Sequence, residues 1–247
     1  MSQFMLTLNN ELYKLRHKKK YYVMLLIGAA VCALRWGGTA LISKLTGGQV
    51  VIKSNIVIEM LPLFAELIIP IMLIMAAADL ISGEYAADTI KADLLRPVTR
   101  FKLLLAKSAA VTILGAAALT AFYVICAVIQ LLCGGSADNL GITLAAYIID
   151  IVPLAGVALL AVLVNVCVNN PSGAVLLSLA VYAVMKYMGY YIAGSESFLF
   201  TSYAKWHTLF LGTALPLNVI LYKIGIVFGS ILILFSVSYI IFDNKDI

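Results

Sequence analysis

Charge is scarce in this chain. Only 12% of its 247 residues are Asp, Glu, Lys or Arg, while 63% are hydrophobic. A soluble globular domain carries about 25% charged residues, so a water-soluble fold is excluded. Histidine is nearly absent: His17 and His207 alone supply no H-E-x-x-H or other histidine metal cluster. There is no G-x-x-x-x-G-K-[ST] to cradle nucleotide phosphates and no G-x-S-x-G elbow. The cysteines Cys32, Cys126, Cys133 and Cys167 sit within or beside apolar runs without a C-x-x-C pair. Neither a metal site nor a disulfide framework follows, and each reads as a buried small hydrophobe. No small-residue cleavage site follows the first apolar run, so no removable signal is expected. No metal, no cofactor and no catalysis by the chain itself are expected.

What fills the space is apolar sequence. Runs long enough to cross about 30 Å of hydrocarbon recur along nearly the whole length. They predict an all-α membrane protein with spans at 21–43, 59–82, 103–133, 141–168, 173–193 and 218–242. Residues 1–20 place Phe4, Met5, Leu8, Leu12 and Leu15 at helical spacing with Lys14 and Arg16 off that stripe, the pattern of an interfacial amphipathic helix. Residues 21–247 then form a single six-helix transmembrane domain. The net charge of +5 is no nucleic-acid signature, because the basic residues cluster beside spans. Of the 17 Lys and Arg residues, 11 fall on the side of the termini and the loop near residue 90. By the positive-inside rule that side is cytoplasmic. Pro70 and Pro153 each interrupt a span, as packing adjustments or as hinges.

The densest run of charge between two spans is Asp79-Leu-Ile-Ser-Gly-Glu84-Tyr85-Ala86-Ala87-Asp88-Thr89-Ile90-Lys91-Ala-Asp93-Leu-Leu-Arg96-Pro97-Val-Thr99-Arg100. Gly83 is suited to break the incoming helix and Ser82 to cap a new one, with Glu84 and Asp88 near its positive end. Arg96-Pro97 closes it, since the residue before proline leaves helical geometry. Thr99 then caps the next span. A short surface helix over 83–96 results. This order of residues resembles the first cytoplasmic loop of the ABC-2 family of transporter permeases.

The resemblance implies that the helix couples to a separate ATP-binding subunit through Glu84, Tyr85, Ala86, Ala87, Asp88, Thr89, Ile90 and Arg96. Glu84 is expected to satisfy free amides or a basic neighbour, the small residues and Ile90 to form a compact docking surface, and Arg96 and Arg100 to anchor the loop. It implies a complex of two permeases, as a homodimer or close heterodimer, and two ATP-binding subunits, which hold the ATP and Mg. It further implies export from a bacterial cytoplasmic membrane. The ATP-binding subunit is expected as a separate chain, because this one stops at Asp243-Asn-Lys-Asp-Ile. Short far-side loops suit hydrophobic or amphipathic cargo, with small amphipathic or antimicrobial peptides the best guess. An ion-gradient transporter is the alternative; it predicts inverted repeats and broken helices at the midplane, and no repeat is found.

Charge inside a span is costly and marks function or pairing. Counted at about 1.5 Å per residue, Arg35, Glu66, Asp150 and Lys186 lie at one depth, roughly 10–14 Å below the external boundary. Arg35 with Glu66 and Asp150 with Lys186 are the expected pairs. They either hold the bundle together or line the path and meet charged cargo. Glu59 and Lys223 are expected to snorkel. Residues 194–217 hold Phe198, Phe200, Tyr203, Trp206, His207 and Phe210 between glycines and Pro216, and predict an external re-entrant or interfacial segment. The turn Asn169-Asn170-Pro171-Ser172 reads as a tight connection rich in turn formers.

Overall fold

The apolar runs fold as helices. The computed structural model describes residues 3–45, 55–90, 98–132, 140–191, 201, 206–207 and 217–245, with no strand among them. In chain order, α1 is Gln3–Arg16, α2 Lys19–Leu45 and α3 Ile56–Leu63, followed by a π-helical turn at Phe64–Ile68. Then come α4 (Ile69–Leu80), α5 (Ser82–Ala86), α6 (Arg100–Leu132), α7 (Leu140–Ile149), α8 (Ile151–Cys167), α9 (Pro171–Tyr191) and α10 (Leu217–Asp243). The chain is an all-α membrane protein. Among the described residues, six helical runs are long and apolar enough to cross a bilayer, at Lys19–Thr39, Ile56–Ala86, Arg100–Leu132, Leu140–Cys167, Pro171–Met188 and Asn218–Asp243. Residues 3–18 and 244–245 meet at one end, the terminal face. The opposite end is the far face.

Two spans make the inside of the bundle. The apolar windows of Ile56–Ala86 and Leu140–Cys167 are 67% buried, against 11% for the first and last spans. Outer helices carry bare Leu26, Leu34, Leu176, Leu232 and Ile233, which cost nothing against lipid as apolar as themselves. Close approach inside is made by small side chains: Ala76 and Ala77 of α4 and Ala158 and Ala161 of α8 are buried on neighbouring faces. Gly28 lets α2 close on α6, since a Cβ there would lie 2.1 Å from the Phe122 ring. That ring stacks on Phe64 at 4.3 Å. Cys32 and Cys126 face each other as buried free thiols, their sulfurs 2.8 Å apart. Cys167 is exposed at the end of α8, contrary to the expected buried role.

Prolines break the inner spans more than the apolar pattern shows. Pro62 lies inside α3 and is followed by the π turn; Pro70 opens α4. Pro70 has no N–H for the carbonyl of Glu66, four residues back. Tyr182 Oη donates to that carbonyl instead, at 2.9 Å. The fourth span divides at Asp150, and Pro153 stands in the first turn of α8. At this level Tyr147 Oη donates to Val57 O at 2.8 Å, tying α7 to α3.

The N-terminal helix differs from its sequence reading. Thr7, Glu11 and Leu15 form its buried face against α6, while Met5, Leu6 and Tyr13 are exposed. Leu8, Leu12 and Leu15 of the expected stripe pack on the protein together with a carboxylate, Glu11, while Met5 of that stripe faces away.

Candidate functional site

The 79–90 stretch begins as a continuation of the inner span. Tyr85 N donates to Ile81 O at 3.0 Å and Ile81 N to Ala77 O at 3.0 Å, so the helix bends at Ile81 (φ −118°, ψ −79°) without stopping. Ser82 is no N-cap: its hydroxyl is buried and hydrogen-bonded to Asn165 of α8. Gly83 serves close packing, because a Cβ there would meet Ala78 O at 3.1 Å.

The expected helix over 83–96 is interrupted early. Thr89 N reaches Glu84 O at 3.1 Å and Asp88 N reaches Tyr85 O at 3.2 Å, with Asp88 at φ 55°. This is a Schellman cap with an aspartate in the left-handed position glycine usually takes. Helical conformation resumes at Ile90. Arg96 lies outside the described residues. Thr99 does cap α6, accepting from Lys102 N at 3.4 Å.

Glu84 turns inward to two lysines from different elements. Lys14 Nζ of α1 lies 2.7 Å from Oε1 and Lys107 Nζ of α6 lies 2.6 Å from Oε2. Glu11 closes the cluster, 3.0 Å from Lys14 and 3.2 Å from Lys107. The side chains of Lys107 and Glu11 are fully buried. Burial would lower the Lys14 pKa. The hydrogen bond that Lys14 donates to Glu84 and the charges of both glutamates outweigh it, holding the ammonium above its ordinary value of 10.5. Lys107, in a run that reads as the start of a span, is thus the mount of the loop. The signal was a lysine four residues inside the apolar run 103–133.

A second carboxylate fastens the same end: Asp79 takes Tyr21 Oη at 2.6 Å, Lys20 Nζ at 2.7 Å and Lys18 Nζ at 3.6 Å. Around these ties Ala86, Ala87, Asp88 and Thr89 are exposed. Ile90 is buried, so it leaves the surface it was expected to extend. Tyr85 is half-buried, with Lys245 Nζ 4.0 Å from its ring centroid. Arg100 caps the last helix: Nη1 donates to Asp243 O at 2.6 Å and Lys245 O at 3.2 Å.

The four membrane charges pair differently from expectation. Arg35 meets Glu59 at 3.1 Å, Lys186 meets Glu66 at 2.7 Å, and Asp150 takes the N–H and Nδ1 of His207, each at 2.7 Å. Glu59 stands in the first turn of α3, which begins at Ile56, three residues before the expected start of that span. The π turn adds a residue to the turn that bears Glu66 and resets its facing. Glu66, Tyr182 and Lys186 line a cavity of 490 Å³ with Leu63, Leu67 and Leu179. Most of the 194–217 segment lies outside the described residues; its Thr201, Trp206 and His207 are buried.

Among the described residues, six apolar helical runs and a polar loop mounted at the basic face define a polytopic membrane protein. The family model described as ABC-2 family transporter protein matches residues 7–189. The chain belongs to the ABC-2 family and is the permease component of an ABC transporter. The family implies an ATP-binding partner and membrane embedding. No curated protein matches it.

Proposed function

We propose that this permease is the membrane half of an ATP-driven exporter and that the 82–89 segment is where its separate ATP-binding subunit docks. The observation that carries the reading is the mounting of Glu84. Two lysines from α1 and α6 hold its carboxylate inside, while the small side chains of Ala86 and Ala87 stand free beside it. A loop tied this firmly transmits displacement instead of absorbing it, and small exposed residues fit a groove. By the family resemblance Arg96 is expected to anchor the loop.

In this reading the terminal face is cytoplasmic, the membrane is the bacterial cytoplasmic membrane, and α1 lies at its interface with Met5, Leu6 and Tyr13 outward. Two permease copies assemble with two ATP-binding subunits, which bind ATP and Mg. Closure of those subunits pushes on 82–89 and alters the cavity between permeases. Arg35, Glu66, Asp150 and Lys186 are the candidates for the path. Among them the Glu66–Lys186 pair has the strongest support, because it borders a cavity large enough for a side chain or acyl segment. Hydrophobic or amphipathic cargo, with small amphipathic or antimicrobial peptides first, suits such a lining.

The test is Ala87→Trp. The variant should insert and melt as the parent does, because Ala87 is exposed, yet recover the ATP-binding subunit poorly in a pull-down. Full recovery with normal ATP hydrolysis would remove the docking role.

A further inference from the structure

The residue after the last membrane helix has no part in the docking reading, yet it touches three separate pieces of the terminal face. Lys245 Nζ donates to Val166 O at 2.6 Å and to Asn169 Oδ1 at 2.5 Å, and it sits 4.0 Å over the ring of Tyr85. Val166 is in the last turn of α8, where carbonyls lack helical partners and the helix dipole is negative. Asn169 belongs to the turn between α8 and α9. Tyr85 belongs to the 82–89 segment. An ammonium with three donors satisfies the first two, and the face of an aromatic ring attracts it as well.

We propose that Lys245 is a positioning residue for coupling: it locks the 82–89 segment to the α8–α9 turn, so that a load on the first moves both inner helices together. The inference rests on the docking reading above.

Two further observations carry it. The backbone that presents Lys245 is itself fixed, since Arg100 at the far end of the same loop holds the carbonyls of Asp243 and Lys245, and Phe242 is buried. Next, the two elements are joined a second time at a deeper level. Ser82 of α5 is hydrogen-bonded to Asn165 of α8, and Asn165 Nδ2 lies 3.4 Å from Ser178 Oγ of α9. All three side chains are buried. Two ties at different depths resist rotation, which a single tie would allow.

Were Lys245 merely a cap for α8, losing it would fray that helix end and leave the distance from 82–89 to the turn unchanged. Spin labels at Ala86→Cys and Ser172→Cys separate the two roles. They are placed in the full chain in lipid nanodiscs, with Cys133 and Cys167 replaced by Ser. The parent should give one narrow distance distribution. Lys245→Met should widen it about two-fold or more, as local opening would, and Lys245→Arg should keep it narrow. A Lys245→Met distribution that superimposes on the parent overturns the proposal.

In the complex, Lys245→Met should also lower ATP hydrolysis coupled to the permease while Lys245→Arg retains it; parental hydrolysis in the Met variant overturns the proposal too. Should Lys245→Met fail to accumulate, Asn169→Ala takes its place, with partial widening expected and an unchanged width fatal. The docking reading fails separately, through Ala87→Trp, which does not touch the lock.

Discussion

Charge enters the bundle at both ends, and the two ends treat it differently. At the terminal face Glu11, Lys14, Glu84 and Lys107 form a closed cluster spanning three elements, with Lys107 and Glu11 sealed from any surface. Towards the far face the charges form separate pairs: Arg35–Glu59 is open, Lys186–Glu66 borders a cavity, and Asp150–His207 is buried alone. The desolvation cost is similar in kind at both ends. A closed cluster recovers it through several partners and fixes geometry, whereas a pair beside a cavity keeps an ammonium and a carboxylate within reach of something else. The contrast separates a mount from a candidate path.

Breaking the mount should have the largest effect. Lys107→Met leaves Glu11 and Glu84 with the partly exposed Lys14 between them in place of a fully buried ammonium, and should destabilise the folded chain by about 3–5 kcal/mol. Thermal melting in detergent checks this, and a shift no larger than that of Lys102→Met would remove Lys107 from the cluster. Restoring charge balance with Lys107→Met and Glu11→Gln together should recover part of the loss.

The far-face pair should respond less. Glu66→Gln or Lys186→Met alone should cost about 1–2 kcal/mol, as for a charged hydrogen bond, and the double variant should melt near the parent. If the pair serves the path, the double variant will fold and still fail in transport. Normal transport by all three would leave Glu66 and Lys186 as packing alone. Smaller still is the effect at Arg35, more than a third exposed along with Glu59: Arg35→Met should barely move the melting point.

The smallest effect is that of pH on Lys14. Its folded pKa lies above the unfolded value of 10.5. Its contribution is therefore complete below that value and lost as pH climbs through the folded one. Fluorescence from a label at exposed Tyr13 should stay flat from neutrality to pH 10.5 and change only above it. A transition below 10.5 would mean that Lys14 is not held as described.

Much of the architecture was legible because length and apolarity suffice to place a span. The family was legible for a similar local reason, in the order of residues from Asp79 to Arg100. Pairing was not, because it depends on helix register, and two irregularities reset the register. The π turn after Pro62 re-aims Glu66, and the division at Asp150 lets His207 reach a carboxylate that depth alone assigned to Lys186. Glu84 was expected to satisfy free amides or a basic neighbour, and two lysines hold it. Neither lysine could be named in advance, since Lys14 was read only as off the apolar stripe of the first helix and Lys107 fell within the span 103–133. The extent of the short helix was misjudged for want of one fact, that Asp88 accepts a positive φ and ends the turn at Ala86.

Photo-crosslinking from the exposed edge of the mount tests the central claim most directly. A benzophenone amino acid replaces Ala87 in one variant and buried Ile90 in another, each in membranes that hold the assembled transporter. The account predicts a covalent adduct between permease and ATP-binding subunit from position 87 and little from position 90. Absence of that adduct from 87, with the subunit still bound to the permease, would contradict it.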